Sequence, residues 1–290
     1  MATPHVLLQA PPELTEGQLR RLGEGIGKVV YASEHWVVKR PRSPTEVVAL
    51  ILLWKLLPRR FLQRPSRRLR LLRICVQGVM RVIPSSIWLS SHVKDVWRIY
   101  RTRDRRGERL KRLHLEGTPL VPEVISFPPI DVKVGGWPGW LTVSEATARV
   151  EATLHQHLAR LTKEKRFAEV EEWLDRFLDL RRSGWRRGLF SLDAHLKNFG
   201  VAGDRIVLLD AGGLTDRWQE VEERLVFEEV VAQPHVQLGL GPVLAACPEV
   251  AARFDARWKE IVNLESVLRH WPRVEESTSS ISTPSSSGSR

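Results

Sequence analysis

One stretch constrains this chain more than any other: residues 188–213, GLFSLDAHLKNFGVAGDRIVLLDAGG. Two strand-forming runs flank Gly203-Asp204, a residue pair suited to a tight turn, so the segment predicts loop, short strand, turn, strand and loop. The hairpin starts just after Asp193-Ala-His-Leu-Lys-Asn198 and ends at Asp210, twelve residues beyond Asn198. A tight hairpin returns its far end to its beginning. Two carboxylates and an amide oxygen therefore converge. Oxygen donors of this kind suit a hard cation such as Mg²⁺. A spare carboxylate beside them can orient a hydroxyl and take its proton, which is most of what phosphoryl transfer asks of a protein. Taken alone, the same letters also fit an ordinary hairpin whose polar ends cap turns.

Upstream, residues 22–40, LGEGIGKVVYASEHWVVKR, place Gly23, Gly25 and Gly27 before two strands, 28–32 and 35–39. Glycines let backbone amides approach phosphate oxygens without a Cβ clash. Ser43-Pro44-Thr45-Glu46 predicts a capping box with proline in the first turn, opening an apolar helix to about residue 57. Residues 59–73 carry seven arginines among leucine and phenylalanine, and 95–116 predict a charged helix ended by Gly117. Strands are expected at 121–127 and 140–144 around GGWPGW, then helices at 148–161 and 167–182 and a helical remainder to Trp271. Residues 276–290 are rich in serine and threonine and are expected to be disordered.

Together these segments resemble the protein-kinase-like superfamily. The stretch GLFSLDAHLKNFGV is closest to its atypical bacterial branch, the kinases of lipopolysaccharide core sugars, with Asp210-Ala211-Gly212 where protein kinases carry Asp-Phe-Gly. The resemblance implies an α+β bilobal fold: a small antiparallel-sheet lobe over 17–145 and a mainly helical lobe over 146–275, preceded by an extension, 1–16. It implies ATP and Mg²⁺ as cofactors, Asp193 as catalytic base, Asn198 and Asp210 as metal ligands, and Gly23, Gly25 and Gly27 over the phosphates. Lys39 matches the phosphate-binding strand lysine. Its partner is then Glu108, ahead of Gly117-Thr-Pro-Leu-Val-Pro122, which is similar to the Gly-x-Pro-x-Pro stretch of the family, or Glu46, which leaves little chain to cross the strand. Glu145 and Ala146 fall where backbone groups would bind adenine. Ser191 departs from the family's pattern, standing where a mainly structural histidine is usual. If Glu108 is the partner, residues 41–94 form an insertion.

The formal charge of +11 and pI near 10.2 favour anionic partners without choosing among them. Apolar and arginine-rich surface over 47–73 suits an acidic membrane face or a phosphorylated, lipid-linked acceptor. Equally, it fits a helical hairpin packed on the small lobe. No secretory signal or spanning segment is readable, and Cys75 and Cys247 stand far apart without metal-ligand spacing, so a reducing cytoplasm is expected. His155, His157 and His195 lack zinc spacing, and the eleven tryptophans are expected in core and rim. The sequence expectation is a phosphotransferase acting on a hydroxyl of a sugar, lipid-linked or other small acceptor. A pseudokinase scaffold is the alternative, and a basic nucleic-acid binder a further one.

Overall fold

The computed structural model describes residues 5–6, 9–24, 27–43, 46–47, 91–135 and 138–272. The expected apolar helix beyond Val47, the arginine-rich segment 59–73, most of the expected insertion 41–94, Gly25 and the tail 276–290 lie outside the described residues. The remainder is α+β and builds two hydrophobic cores.

The first core lies against a sheet of His5–Val6, Gln18–Glu24, Lys28–Ala32, Trp36–Pro41, Val124–Val134 and Trp140–Ala148. Gln18–Glu24, Lys28–Ala32 and Trp36–Pro41 run as an antiparallel meander, with Val30 opposite Lys39. Trp36–Pro41 then pairs with Trp140–Ala148, and that strand pairs along most of its length with Val124–Val134. The far end of Val124–Val134 reaches back beside Gln18 and Leu19, so the pairing circuit closes. Alternate residues Val29 and Tyr31 point inward with Val38, Ile125, Val132 and Leu141, as a half-buried pleated surface requires.

The N-terminal extension is not separate from this lobe. His5–Val6 pairs in parallel with Ile125 and Ser126, and Leu14, from the short helix Pro12–Thr15, is wholly buried in the first core. One turn of helix is marginal by itself. Burying a leucine is worth about 1.5–3 kcal/mol, enough to hold it. The strand expected at 121–127 runs on to Val134 through a register irregularity between Ser126 and Ile130. That irregularity spans Pro128 and Pro129, which lack the N–H that the ladder needs.

In the helix Ser91–His114, Leu110 near the C-terminal end belongs, with Leu115 and Val121, to the second core rather than the first. That core gathers Leu154–Lys163, opened by a Thr153/Gln156 capping box, then Phe167–Trp185 and Pro248–Ile261, with Phe177, Trp185 and Trp258 almost fully buried. The predicted hairpin is present as Phe199–Ala202 and Arg205–Leu208, with Ala152–Thr153 pairing on its open side. The chain crosses between the cores at 149–151. There Arg149 N–H donates to His35 O and Glu151 N–H to Val201 O.

Candidate functional site

The hairpin brings its expected residues together through backbone bonds. The Asn198 carbonyl accepts from the amides of Leu209, at 2.8 Å, and Asp210, at 3.2 Å. The Asn198 side-chain amide donates to the Asp193 carbonyl at 3.2 Å, and Leu192 N–H donates to Gly213 O at 2.8 Å. Asp193, Asn198 and Asp210 consequently line one cleft. Gly213 is required here, because a Cβ on it would sit 2.8 Å from the Asp193 nitrogen. Ser191 Oγ donates to the Asp193 carbonyl at 3.1 Å. The Ser191 carbonyl faces the buried Arg181 guanidinium, 3.5 Å away. That guanidinium lies about 5.0 Å from the ring centres of Phe190 and Trp258, and burial pulls its pKa down to about 10. A buried cation thus braces the loop from behind.

A second cleft, of about 430 Å³, opens between the meander and the helix Ser91–His114 and is lined by Gly27, Lys28, Lys39, Asp104, Glu108, Lys111 and Glu145. Lys39 is in place at this cleft, but its ammonium donates to the Leu209 carbonyl, one residue before Asp210. Burial lowers its pKa, aided by Lys111 and opposed by Asp210 and Glu108. The expected Lys39–Glu108 pair is not the one formed. Glu108 is held by Lys28 at 2.8 Å, with Lys111 at 3.8 Å. Lys28 wins because it also reaches Asp104, at 2.7 Å, and Asp210, at 3.5 Å, and one ammonium among three carboxylates gains more than a pairwise exchange could return. Burial alone would lower the Lys28 pKa, but the charges of Asp210, Glu108 and Asp104 raise it overall. Burial would raise Glu108 and Asp210, but nearby cations, Lys28 with Lys111 and Lys39 for the first and Lys28 with Lys39 for the second, lower both overall, whereas burial leaves Asp104 raised.

Glu46, the other candidate partner, is committed elsewhere. Its carboxylate takes a two-pronged bond from Arg40 at 2.8 and 2.9 Å and accepts from Ser43 N–H at 2.9 Å, while Glu46 N–H donates to Ser43 Oγ at 3.3 Å. This is the capping box read from the sequence. Glu145 and Ala146 do not form a hinge. They lie within Trp140–Ala148, paired opposite Ser126 and Ile125, with Ala146 buried and Glu145 bonded to Arg112 at 2.6 Å. The strand outruns its apolar letters because pairing to both neighbours continues to Thr147 and Ala148. Gly23 sits in its strand opposite Val30, and Gly27 borders the cleft.

Two residues of the long helix escaped the sequence reading. Gly107 packs directly on the Asp210-Ala211-Gly212 segment, where a Cβ would lie 1.8 Å from Ala211 O. Asp104, one turn before Glu108, completes the only group among the described residues whose carboxylates could share a cation: Asp104, Glu108 and Asp210, with oxygens within 4.8 Å of one another. The three histidines take no part in it. Compared with protein-family models, curated proteins and solved structures, the chain matches none. The site therefore rests on its own geometry. Among the described residues, no helix is long and apolar enough to cross a membrane.

Proposed function

We propose that the chain is an ATP- and Mg²⁺-dependent phosphotransferase of kinase-like bilobal fold, acting on a hydroxyl of a sugar, lipid-linked or other small acceptor. One observation carries the reading. Asp210 stands at the junction of the two clefts, bonded to Lys28 of one and lining the other beside Asp193 and Asn198. Transfer between two bound substrates needs such a junction, with charge on both sides of the moving phosphoryl group.

The donor set is all oxygen and suits Mg²⁺, with Asp210 and Asn198 as the residues that would hold it. Bound there, the ion would neutralise charge developing on the phosphates. Lys39, on the third strand of the meander, and Lys28, just past the glycine turn, are cations within reach of a triphosphate in the cleft beside the meander. Asp193, with its carboxylate exposed to the cleft it shares with Asn198, orients the acceptor hydroxyl and takes its proton.

The reading is tested by titration calorimetry of ATP with and without Mg²⁺ for the wild type, Asp210→Ala and Asp193→Ala. Binding is expected to need Mg²⁺, to be lost with Asp210 and to survive without Asp193, while turnover vanishes in both. No binding by the folded wild type, or equal loss in both variants, would overturn these roles. One feature favours a second reading, a nucleotide-binding scaffold: Lys28, not Lys39, holds Glu108. Mg²⁺-dependent binding with no turnover on any acceptor would select it.

A further inference from the structure

The cleft beyond Asp193, about 970 Å³, has arginine on both walls. Arg98, Arg103 and Arg106 come from one face of the helix Ser91–His114, Arg217 from the N-cap of the helix Trp218–Val230 and Arg224 from its middle. No lysine lines it. Arg106 is fixed by Glu220 and by Thr215, 2.7 Å from the hydroxyl. Arg224 is fixed by Glu228 at 2.6 Å and lies over the Phe227 ring at 4.8 Å.

Arg103 and Arg217 are different. Arg103 is exposed and makes no ion pair among the described residues. Arg217 stands 3.7 Å from Glu220, whose carboxylate is already spent on Arg106 and Thr215. On the acidic side, Asp193 and Asp210 belong to the proposed chemistry, and among the described residues Glu223 meets only Gln219, at 3.5 Å. Two guanidinium forks from different elements of one cleft, neither saturated by a carboxylate, are suited to the oxygens of a phosphate group. Helix Trp218–Val230 adds to this, because its first turn opens at Arg217 without a side-chain cap.

We infer that this cleft is the acceptor subsite and that the acceptor carries a phosphate of its own besides the hydroxyl that reacts. Arg103 and Arg217 grip that phosphate, and Asp193 meets the hydroxyl. The inference rests on the phosphotransferase reading for the word acceptor, though the anion site can be tested without it. The phosphate belongs either to a free metabolite or to a lipid headgroup.

The test is calorimetric titration of the full chain with fructose 6-phosphate and fructose, and sedimentation with vesicles of phosphatidylcholine containing or lacking phosphatidic acid. The Arg103→Gln/Arg217→Gln variant is compared with Arg109→Gln/Arg187→Gln, which removes the same charge elsewhere. We expect the phosphorylated probe to bind in at least one format. The cleft variant should weaken it by about tenfold or more, the control variant should not, and Mg²⁺-ATP affinity should hold in both. Binding confined to vesicles identifies a lipid headgroup, and binding of fructose 6-phosphate a free phosphate. Failure of every phosphorylated probe, or equal weakening in the two variants, overturns the inference while leaving the ATP site standing. Loss of ATP binding in the wild type with the arginine-dependent site intact overturns the other reading instead.

Discussion

Replacing Lys28 with methionine probes the electrostatics at the junction of the two clefts. In the native chain its ammonium lies 2.7 Å from Asp104, 2.8 Å from Glu108 and 3.5 Å from Asp210. At an effective dielectric of about 20, each contact carries roughly 5–6 kcal/mol of gross attraction. The three carboxylates lie within 4.8 Å of one another. Without the ammonium, each pair repels by roughly 3–4 kcal/mol on the same scale. The cluster escapes most of that by binding a proton, and Asp104, already raised by burial, is the group that takes it. Holding one carboxyl protonated at pH 7 costs at most about 4 kcal/mol, since its unfolded pKa is near 4 and each unit is about 1.4 kcal/mol.

We therefore expect Lys28→Met to lose about 2–4 kcal/mol at pH 7, read from urea unfolding in EDTA. The sign of the pH dependence is the sharper result. A carboxyl raised above its unfolded pKa penalises the fold at high pH and ceases to do so below the unfolded value. The folded variant carries one proton more than the unfolded chain near neutrality. Its deficit against the wild type should shrink from pH 7 to 5, by up to about 1.4 kcal/mol per unit. A deficit that stays constant or grows on acidification would refute the reasoning.

Gly107→Ala should gain about 1 kcal/mol on helix propensity alone. Its Cβ would meet Ala211 O at 1.8 Å, so a net loss of about 2 kcal/mol or more is expected instead in thermal unfolding, and a gain in stability would contradict the packing. Glu220 is held down to about pKa 2, first by its bond from Arg106, then by Thr215. Its stabilisation is present above the ordinary carboxylate range and lost as pH falls toward 2. In Arg106→Gln, the Glu220 side-chain resonance should titrate well above its native value, and an unmoved titration would show that Arg106 is not the cause.

The hairpin was legible because turn chemistry and apolar runs agree over 199–208, and the convergence of Asp193, Asn198 and Asp210 follows from that geometry. The meander was legible for the same reason. The strand Val124–Val134 was cut short in the reading because Pro128 and Pro129 argue against a ladder, which the bulge circumvents. Local letters also could not reveal that the extension joins the sheet, since His5–Val6 pairs with residues about 120 positions away. Lys28 looked like an ordinary strand start, although a signal for its partners was present. Asp104 and Glu108, four apart on one helix face, are a like-charge pair that costs stability unless a cation sits between them. Gly107, in the interior of a charged helix, similarly pointed to a close backbone approach.

The helix Ser91–His114 is shared property of the two clefts. One of its faces presents Asp104 and Glu108 to the meander, and another presents Arg103 and Arg106 to the arginine-walled cleft. Gly107 presses its backbone onto the segment between them. A rigid body of this kind cannot move at one cleft and stay still at the other. Whatever factor a ligand in the first cleft applies to affinity in the second, a ligand in the second must return to the first, unchanged.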